Sequence, residues 1–297
     1  DSIGAQPAEP GASAMSTGAH PAEPGASTMS TGAHPAEPGA SAMRRLEPAA
    51  ITGVMSREVA NFRSFWKSTT FSSVLEPVVY LLAFGLGLGA TIVDRVQGLE
   101  YVEFVGTGMV ATAVIFSSVF PAMFGTFVKE RFQRTYDAIL AAPVDVEELV
   151  TAEMLWISIR AGVYGCFPLI VSMIFGLDPA PGMLLVPLFC LVTALGFASF
   201  GITVAASVAK IDQFNYVTTL VVTPLFLVAG TFFPIDQLPD ALRALAQLNP
   251  LHHLVELVRH SAFGFEATDL IRIAVLTAFA LVLWRVAVSR MERRLID

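Results

Sequence analysis

Apolar residues fall in six long runs along this chain, at about 71–93, 104–128, 150–175, 183–208, 216–233 and 268–288, with only short polar connections between them. A hydrocarbon core about 30 Å thick takes roughly 20 apolar helical residues to cross, and each run is of that order. Backbone polar groups find no water in lipid, so such runs close their hydrogen bonds internally as helices. Strands of a membrane barrel would alternate apolar and polar positions, and these runs do not. The pattern predicts an all-α polytopic membrane protein with six transmembrane helices.

Two shorter patterns lie outside the runs. Over 51–67, Ile51, Val54, Met55, Val59, Phe62 and Trp66 form a helical apolar stripe, with Arg57, Glu58, Asn61 and Arg63 off it. This reads as an amphipathic helix in the membrane interface, or as a plain helical lead-in to the first span. Between the fifth and sixth runs, Pro234, Pro239 and Pro250 divide GTFFPIDQLPDALRALAQLNPLHHLVELVRHSAFG into two short apolar helices near 239–248 and 251–262. Each is too short to span and too apolar for a free loop, so both are expected to dip back into the membrane as re-entrant half-helices.

The first 50 residues differ in kind. Residues 4–45 hold three copies of a 14-residue unit, GAQPAEPGASAMST and its variants, rich in Pro, Gly, Ala and Ser. Without large apolar side chains such a segment cannot offset its conformational entropy, and disorder is expected. Each unit carries a Met, and a functional start near Met43 or Met55 is the favoured reading. His20 and His34 recur only because the unit does.

Composition agrees with a membrane protein: 54% hydrophobic and 14% charged. The formal charge of −7 says little, because Lys and Arg placement sets orientation. Arg57, Arg63 and Lys67 precede the first run, Lys129, Arg131 and Arg134 follow the second, Lys210 the fourth, and Arg290, Arg293 and Arg294 the sixth. The alternate loops are poorer in cations, which puts both termini of this multi-pass membrane protein in the cytoplasm. Cys166 and Cys190 fall in neighbouring runs and read as small packing residues, with a disulfide the lesser alternative. No G-x-x-x-x-G-K-[ST] phosphate loop is present, and Gly85, Gly87 and Gly89 have the wrong spacing for one.

Polar residues inside the apolar runs are functional candidates by default. Arg160 is the deep cation of the third run, with Glu153 two turns earlier on the same face and Glu76 near the inner end of the first run. A contact to a cargo headgroup and an interhelical ion pair both remain open for it. His252, Glu256 and His260 share one helix face, but i to i+8 covers about 12 Å of axis, too far for one metal ion. Water-facing polar residues of a re-entrant helix explain them better, and no metal is expected. Scattered Ser, His and Asp show no catalytic arrangement, so the chain reads as no enzyme.

The inner loop KERFQRTYDAILAAPV begins with Lys129, Glu130, Arg131 and Arg134 and continues into a short helix. Phe132, Tyr136, Ile139 and Leu140 share a face of it; Pro143 ends it and Asp145 caps the next helix. That loop, and the outer segment containing Pro234, Pro239, Asn249, Pro250, His252, His253 and Glu256, resemble the permease subunits of ABC-2 type ABC transporters. The resemblance covers about 50–297 and is strongest to the nodulation protein J branch of lipo-oligosaccharide exporters, with daunorubicin-type exporter permeases as relatives. It implies a dimer with a second permease copy or paralogue, and a cytoplasmic ABC ATPase that carries the ATP and Mg. It makes 51–67 a connecting helix and 130–142 the coupling helix that meets the ATPase. It implies outward movement of a glycolipid, lipo-oligosaccharide or hydrophobic drug, and partners limited to proteins and membrane lipids, not nucleic acid. A non-transporting membrane scaffold is the competing function.

Overall fold

The structure, a computed structural model, describes residues 46–88, 96 and 98–296. The 14-residue repeats and residues 89–95 lie outside the described residues, as do the side chains of Glu76 and Pro77. Among the described residues the fold is helical, with one isolated bridge between Val96 and Leu99.

Helix α1 runs from Pro48–Leu82 and continues as a π-helical turn through Ala83–Leu88. Proline in its first turn costs no hydrogen bond, since that N–H would be unpaired anyway. Phe65 leaves helical geometry (φ −130°, ψ 15°), so the expected interfacial helix and the expected first span are one kinked helix. Helix α2, Tyr101–Arg131, starts at a reciprocal Glu100–Glu103 capping box and widens to a π turn at Pro121–Gly125. After the short α3 (Thr135–Leu140), helix α4 (Val146–Ile174) begins at a capping box between Asp145 and Glu148, the start read from the sequence. Then come α5 (Pro181–Ser207), α6 (214–227), α7 (Asp240–Leu248), α8 (Pro250–Phe263) and α9 (Asp269–Ile296).

Four of these helices, α2, α4, α5 and α9, are long and apolar enough to cross a membrane. The fifth apolar run, 216–233, is helical only as far as Leu227. Its helix contains a π turn at Thr218–Val222, and the chain reverses at Gly230, whose φ of +87° suits a residue without Cβ. At about 1.5 Å per residue, α6 is roughly 21 Å long.

Helix α2 forms the centre, with Phe104, Val105, Met109, Val110, Val114 and Ile115 fully buried, and packs against α1, α4, α5 and α8. Lipid offers no hydrophobic drive for helices to associate, so close van der Waals fit does the work, and small residues permit it. Gly201 on α5 shows why: a Cβ there would stand 2.5 Å from the Ala122 Cβ and 2.8 Å from the Val119 carbonyl oxygen. Hydroxyls within the helices turn back on carbonyls one turn earlier, as Ser118 does to Val114 (2.6 Å) and Ser158 to Met154 (2.6 Å). Cys166 and Cys190 sit side by side between α4 and α5, and both are free thiols.

Candidate coupling site

One end of the bundle gathers the start of α1, the end of α2, α3, the start of α4 and the end of α9. Its centre is the carboxylate of Glu153, 2% exposed on α4. Lys129 of α2 reaches it with Nζ–Oε1 at 2.7 Å and binds Glu58 of α1 at 2.9 Å. The Tyr136 hydroxyl from α3 donates to the other Glu153 oxygen, which also accepts from the Thr126 hydroxyl at 3.3 Å. Burial and the neighbouring carboxylate push the Tyr136 phenol well above its usual range, so it keeps the proton that it donates. Arg57 completes the group by pairing with Glu58 at 3.0 Å. Two carboxylates thus meet two cations, the condition under which a buried charged cluster is tolerated.

A second tie lies beside it. Arg294, near the end of α9, binds Glu130 at 2.7 Å and donates to the carbonyls of Ala206 and Val208 at 2.8 and 2.9 Å. A guanidinium there satisfies carbonyls left open at the end of α5. The turn between α2 and α3 is carried by Arg134 in left-handed geometry (φ 46°, ψ 34°), a conformation that costs a non-glycine residue about 1 kcal/mol or more.

These contacts change the reading of the coupling loop. Tyr136 is 1% exposed, and Ile139 and Leu140 pack with Val54, Leu149 and Val150, so the apolar face of α3 holds the loop onto α1 and α4. It is not a free docking face. Lys129 and Glu130 are likewise engaged internally. What faces outward is Phe132, 70% exposed, with Arg131, Gln133, Arg134, Asp137 and Ala138. Glu58, assigned to the polar side of its helix, is 5% exposed on the apolar side.

Arg160 does not pair with Glu153, the first acidic partner considered for it. Glu153 is taken by Lys129 and Tyr136, and the side chain of Glu76 lies outside the described residues. The guanidinium instead lies 5.7 Å from the centre of the Phe62 ring, with its Nε buried and without a hydrogen-bond partner.

At the far end, the two short helices appear with nearly the expected bounds, α7 starting after Pro239 and α8 at Pro250. Asn249 joins them to α6: its amide donates to the Leu225 carbonyl at 2.6 Å and its Oδ1 accepts from Leu251 N–H. Pro234 opens the turn Ile235–Gln237. On the polar stripe of α8, His252 is buried and Glu256 and His260 are half-buried. His252 is 7% exposed and contacts the Ala229 carbonyl through Nδ1 at 3.2 Å. Arg259 stacks 3.8 Å over the Phe104 ring, pairs with Glu256 at 3.3 Å and donates to the Gly230 carbonyl at 2.7 Å. His260 and Arg272 meet Asp269, each at 2.7 Å. His252, His253, Glu256 and Arg272 line a cavity of about 400 Å³ there, and burial lowers the pKa of both histidines.

Comparison with known proteins decides the class. The ABC-2 type transporter family matches residues 50–263. The chain belongs to this family. Nodulation protein J of Rhizobium leguminosarum bv. viciae is 33% identical over 235 residues, 77% of this chain and 90% of that protein. Nodulation protein J of Rhizobium meliloti (strain 1021) is 32% identical over 235 residues, 77% of this chain and 89% of that protein. The inner membrane transport permease YadH of Escherichia coli (strain K12) is 24% identical over 247 residues, 82% of this chain and 96% of that protein.

The residues that sequence reading passed over in this ABC-2 permease are chiefly charges. Arg294 enters the sequence analysis only for orientation and Arg259 and Arg272 enter no candidate site, yet each is an interhelical tie. Arg259 carried a signal in its i, i+3 spacing from Glu256. Arg294 carried none, because its partner Glu130 is 164 residues away.

Proposed function

We propose that this chain is the membrane permease of an ATP-driven exporter, energised by a separate ABC ATPase that docks on the outward face of residues 131–138. The observation that carries the reading is the Glu58–Lys129–Glu153–Tyr136 cluster. It ties the loop to α1 and α4 rigidly enough to pass a push on the loop into two helices, while Phe132 and Arg131 stay exposed to meet a partner. Buried aromatic anchors dominate interfaces and rim charges tune encounter, so Phe132 is the expected anchor.

In this reading α1 and α6 supply the first and fifth of six crossings, both termini are cytoplasmic, and α7 and α8 re-enter the outer leaflet. Two permeases pair, and the cargo is amphipathic. A cavity of about 510 Å³ between α1 and α2, lined by Ser72, Ser73, Ser117, Phe116, Phe120 and Phe124, offers hydroxyls beside apolar surface, which suits such a cargo. Phe116, Phe120 and Phe124 stack along α2 and meet Phe226 and Phe214 of α6. The nodulation protein J relatives favour a lipo-oligosaccharide or glycolipid over a drug.

The test is reconstitution in nanodiscs with a co-expressed ABC ATPase and measurement of hydrolysis against candidate glycolipids and drugs. Cargo-stimulated hydrolysis that requires the permease is the expected result. An ATPase that neither co-purifies nor responds would overturn the reading.

A further inference from the structure

Helix α1 and helix α4 run parallel and in register where they touch. Phe62 meets Trp156 edge-on at 5.6 Å between centroids, and the Thr70 and Tyr164 hydroxyls hydrogen-bond at 2.9 Å; both pairs are 94 positions apart. The same offset sets Arg160 level with Trp66, at the α1 kink. Just beyond that level a slot of about 380 Å³ opens on the flank of the bundle. Its walls are Thr70, Phe71, Val74, Leu75 and Val78 of α1 and Phe167 of α4, with Trp66 and Lys67 at its mouth. Phe71 is 66% exposed and Leu75 44%, so this flank is open among the described residues.

The mouth is positively charged. Lys67 lies 5.9 Å from the Trp66 ring centre, Arg63 stands one turn earlier on the same helix, and Arg160 brings its partnerless Nε to the same level. None of the three forms an ion pair with an acidic side chain among the described residues. Eleven positions separate Lys67 from Val78, about 16 Å of helix axis, which is close to one leaflet of a core about 30 Å thick. Trp at an interface and Lys beside it mark headgroup depth, and the cytoplasmic leaflet is the one rich in anionic lipid.

We propose that this slot is a binding site for an anionic phospholipid of the surrounding bilayer. The phosphate diester accepts from Lys67, with the Arg63 and Arg160 guanidiniums adding positive charge at the same level, and one acyl chain lies along Phe71, Val74 and Val78. Phosphate oxygens give a guanidinium the charge-assisted acceptors that no side chain here supplies. The bound lipid would hold the kinked joint of α1, which also carries the Glu58 tie to the coupling loop. The inference rests on the reading of α1 as a membrane crossing with its N-terminal half at the cytoplasmic surface.

The experiment is lipid extraction and quantitative mass spectrometry on the full chain, purified in mild detergent from membranes of mixed phosphatidylglycerol and phosphatidylethanolamine. Wild type should retain phosphatidylglycerol in excess of its share of the membrane. Lys67→Glu should lower that retention about five-fold or more, from the usual contribution of one cation near an anionic surface. Val74→Trp should lower it with the charges intact, by filling the slot, while phosphatidylethanolamine stays constant in both. Lys67 is exposed, so its variant remains decisive even where Arg160→Gln fails to fold. Unchanged phosphatidylglycerol in Lys67→Glu and Val74→Trp, no enrichment in wild type, or an extracted lipid that proves to be the exported cargo would each overturn the proposal. Enrichment without any co-purifying ATPase would leave this site standing and remove the exporter reading; the reverse result would remove only this site.

Discussion

Tyr136 and Glu153, seventeen positions apart and both buried, are joined by a hydrogen bond from the phenol of the coupling loop to the carboxylate of α4. That bond turns a short amphipathic helix into a fixture of the bundle. It also separates two faces of the loop: an inner one held against α1 and α4 and an outer one that is exposed.

Removing the phenol should therefore damage stability and spare docking. Tyr136→Phe leaves the Glu153 oxygen short of one partner and is expected to cost about 1–3 kcal/mol. Glu153→Leu takes one of two carboxylates from Lys129 and the acceptor from the buried Tyr136 hydroxyl, and should cost more, about 3–5 kcal/mol. Thermal unfolding in detergent measures both, and an unchanged melting temperature in Glu153→Leu would show that the cluster is not structural.

The outer face should behave in the opposite way. Phe132→Asp, alone or with Arg131→Glu, is expected to abolish co-purification of the ATPase while insertion and melting temperature stay at wild-type values. A pull-down with a matched thermal scan checks this. Full retention of the ATPase would move the docking surface to the exposed side of residues 51–67.

Close approach of α5 to α2 predicts a steric result. Gly201→Val must displace Ala122 or the Val119 carbonyl, and an overpacked core typically loses about 1–3 kcal/mol. At Gly87 an added Cβ would meet nothing within 4 Å, so Gly87→Ala should have little effect. Expression level and detergent melting curves compare the two, and equal tolerance would contradict the packing described.

The α8 histidines predict a pH effect of definite sign. Burial depresses the folded-state pKa of His252 and His253 below the usual value of about 6.5. The unfolded chain then binds more protons than the folded one at acid pH, so stability is complete above about 6.5 and falls as pH drops below it. Melting temperatures from pH 7.5 to 5.5 should decline less in a His252→Asn, His253→Gln variant than in wild type. Parallel declines would mean that other groups carry the acid sensitivity.

Arg259 offers a test of shape against charge. Lys in its place cannot reach the Gly230 and Phe104 carbonyls together while lying flat on the Phe104 ring, so Arg259→Lys should destabilise nearly as much as Arg259→Met. Limited proteolysis of the 228–240 turn reads the local loosening, and full protection in Arg259→Lys would show that charge alone suffices.

What the sequence determined by itself was everything that depends on local period and punctuation. Continuous apolar runs demanded helices, Asp145 announced the start of α4, Pro239 and Pro250 cut the outer segment into α7 and α8, and the loop and outer patterns pointed to the ABC-2 family. Tertiary structure alone decided which face of each helix is buried and who partners whom. A helical wheel put Glu58 with the solvent because carboxylates usually belong there; Lys129, 71 positions later, makes its burial favourable. Phe132 and Tyr136 look equivalent at i and i+4, and only the position of Glu153 sends Tyr136 inward and leaves Phe132 outside. Arg160 shows the same limit: spacing offered Glu153 as its mate, but a carboxylate has few acceptor sites, and Lys129, Tyr136 and Thr126 already occupy them. Charge pairing across helices depends on distances that a one-dimensional pattern does not contain.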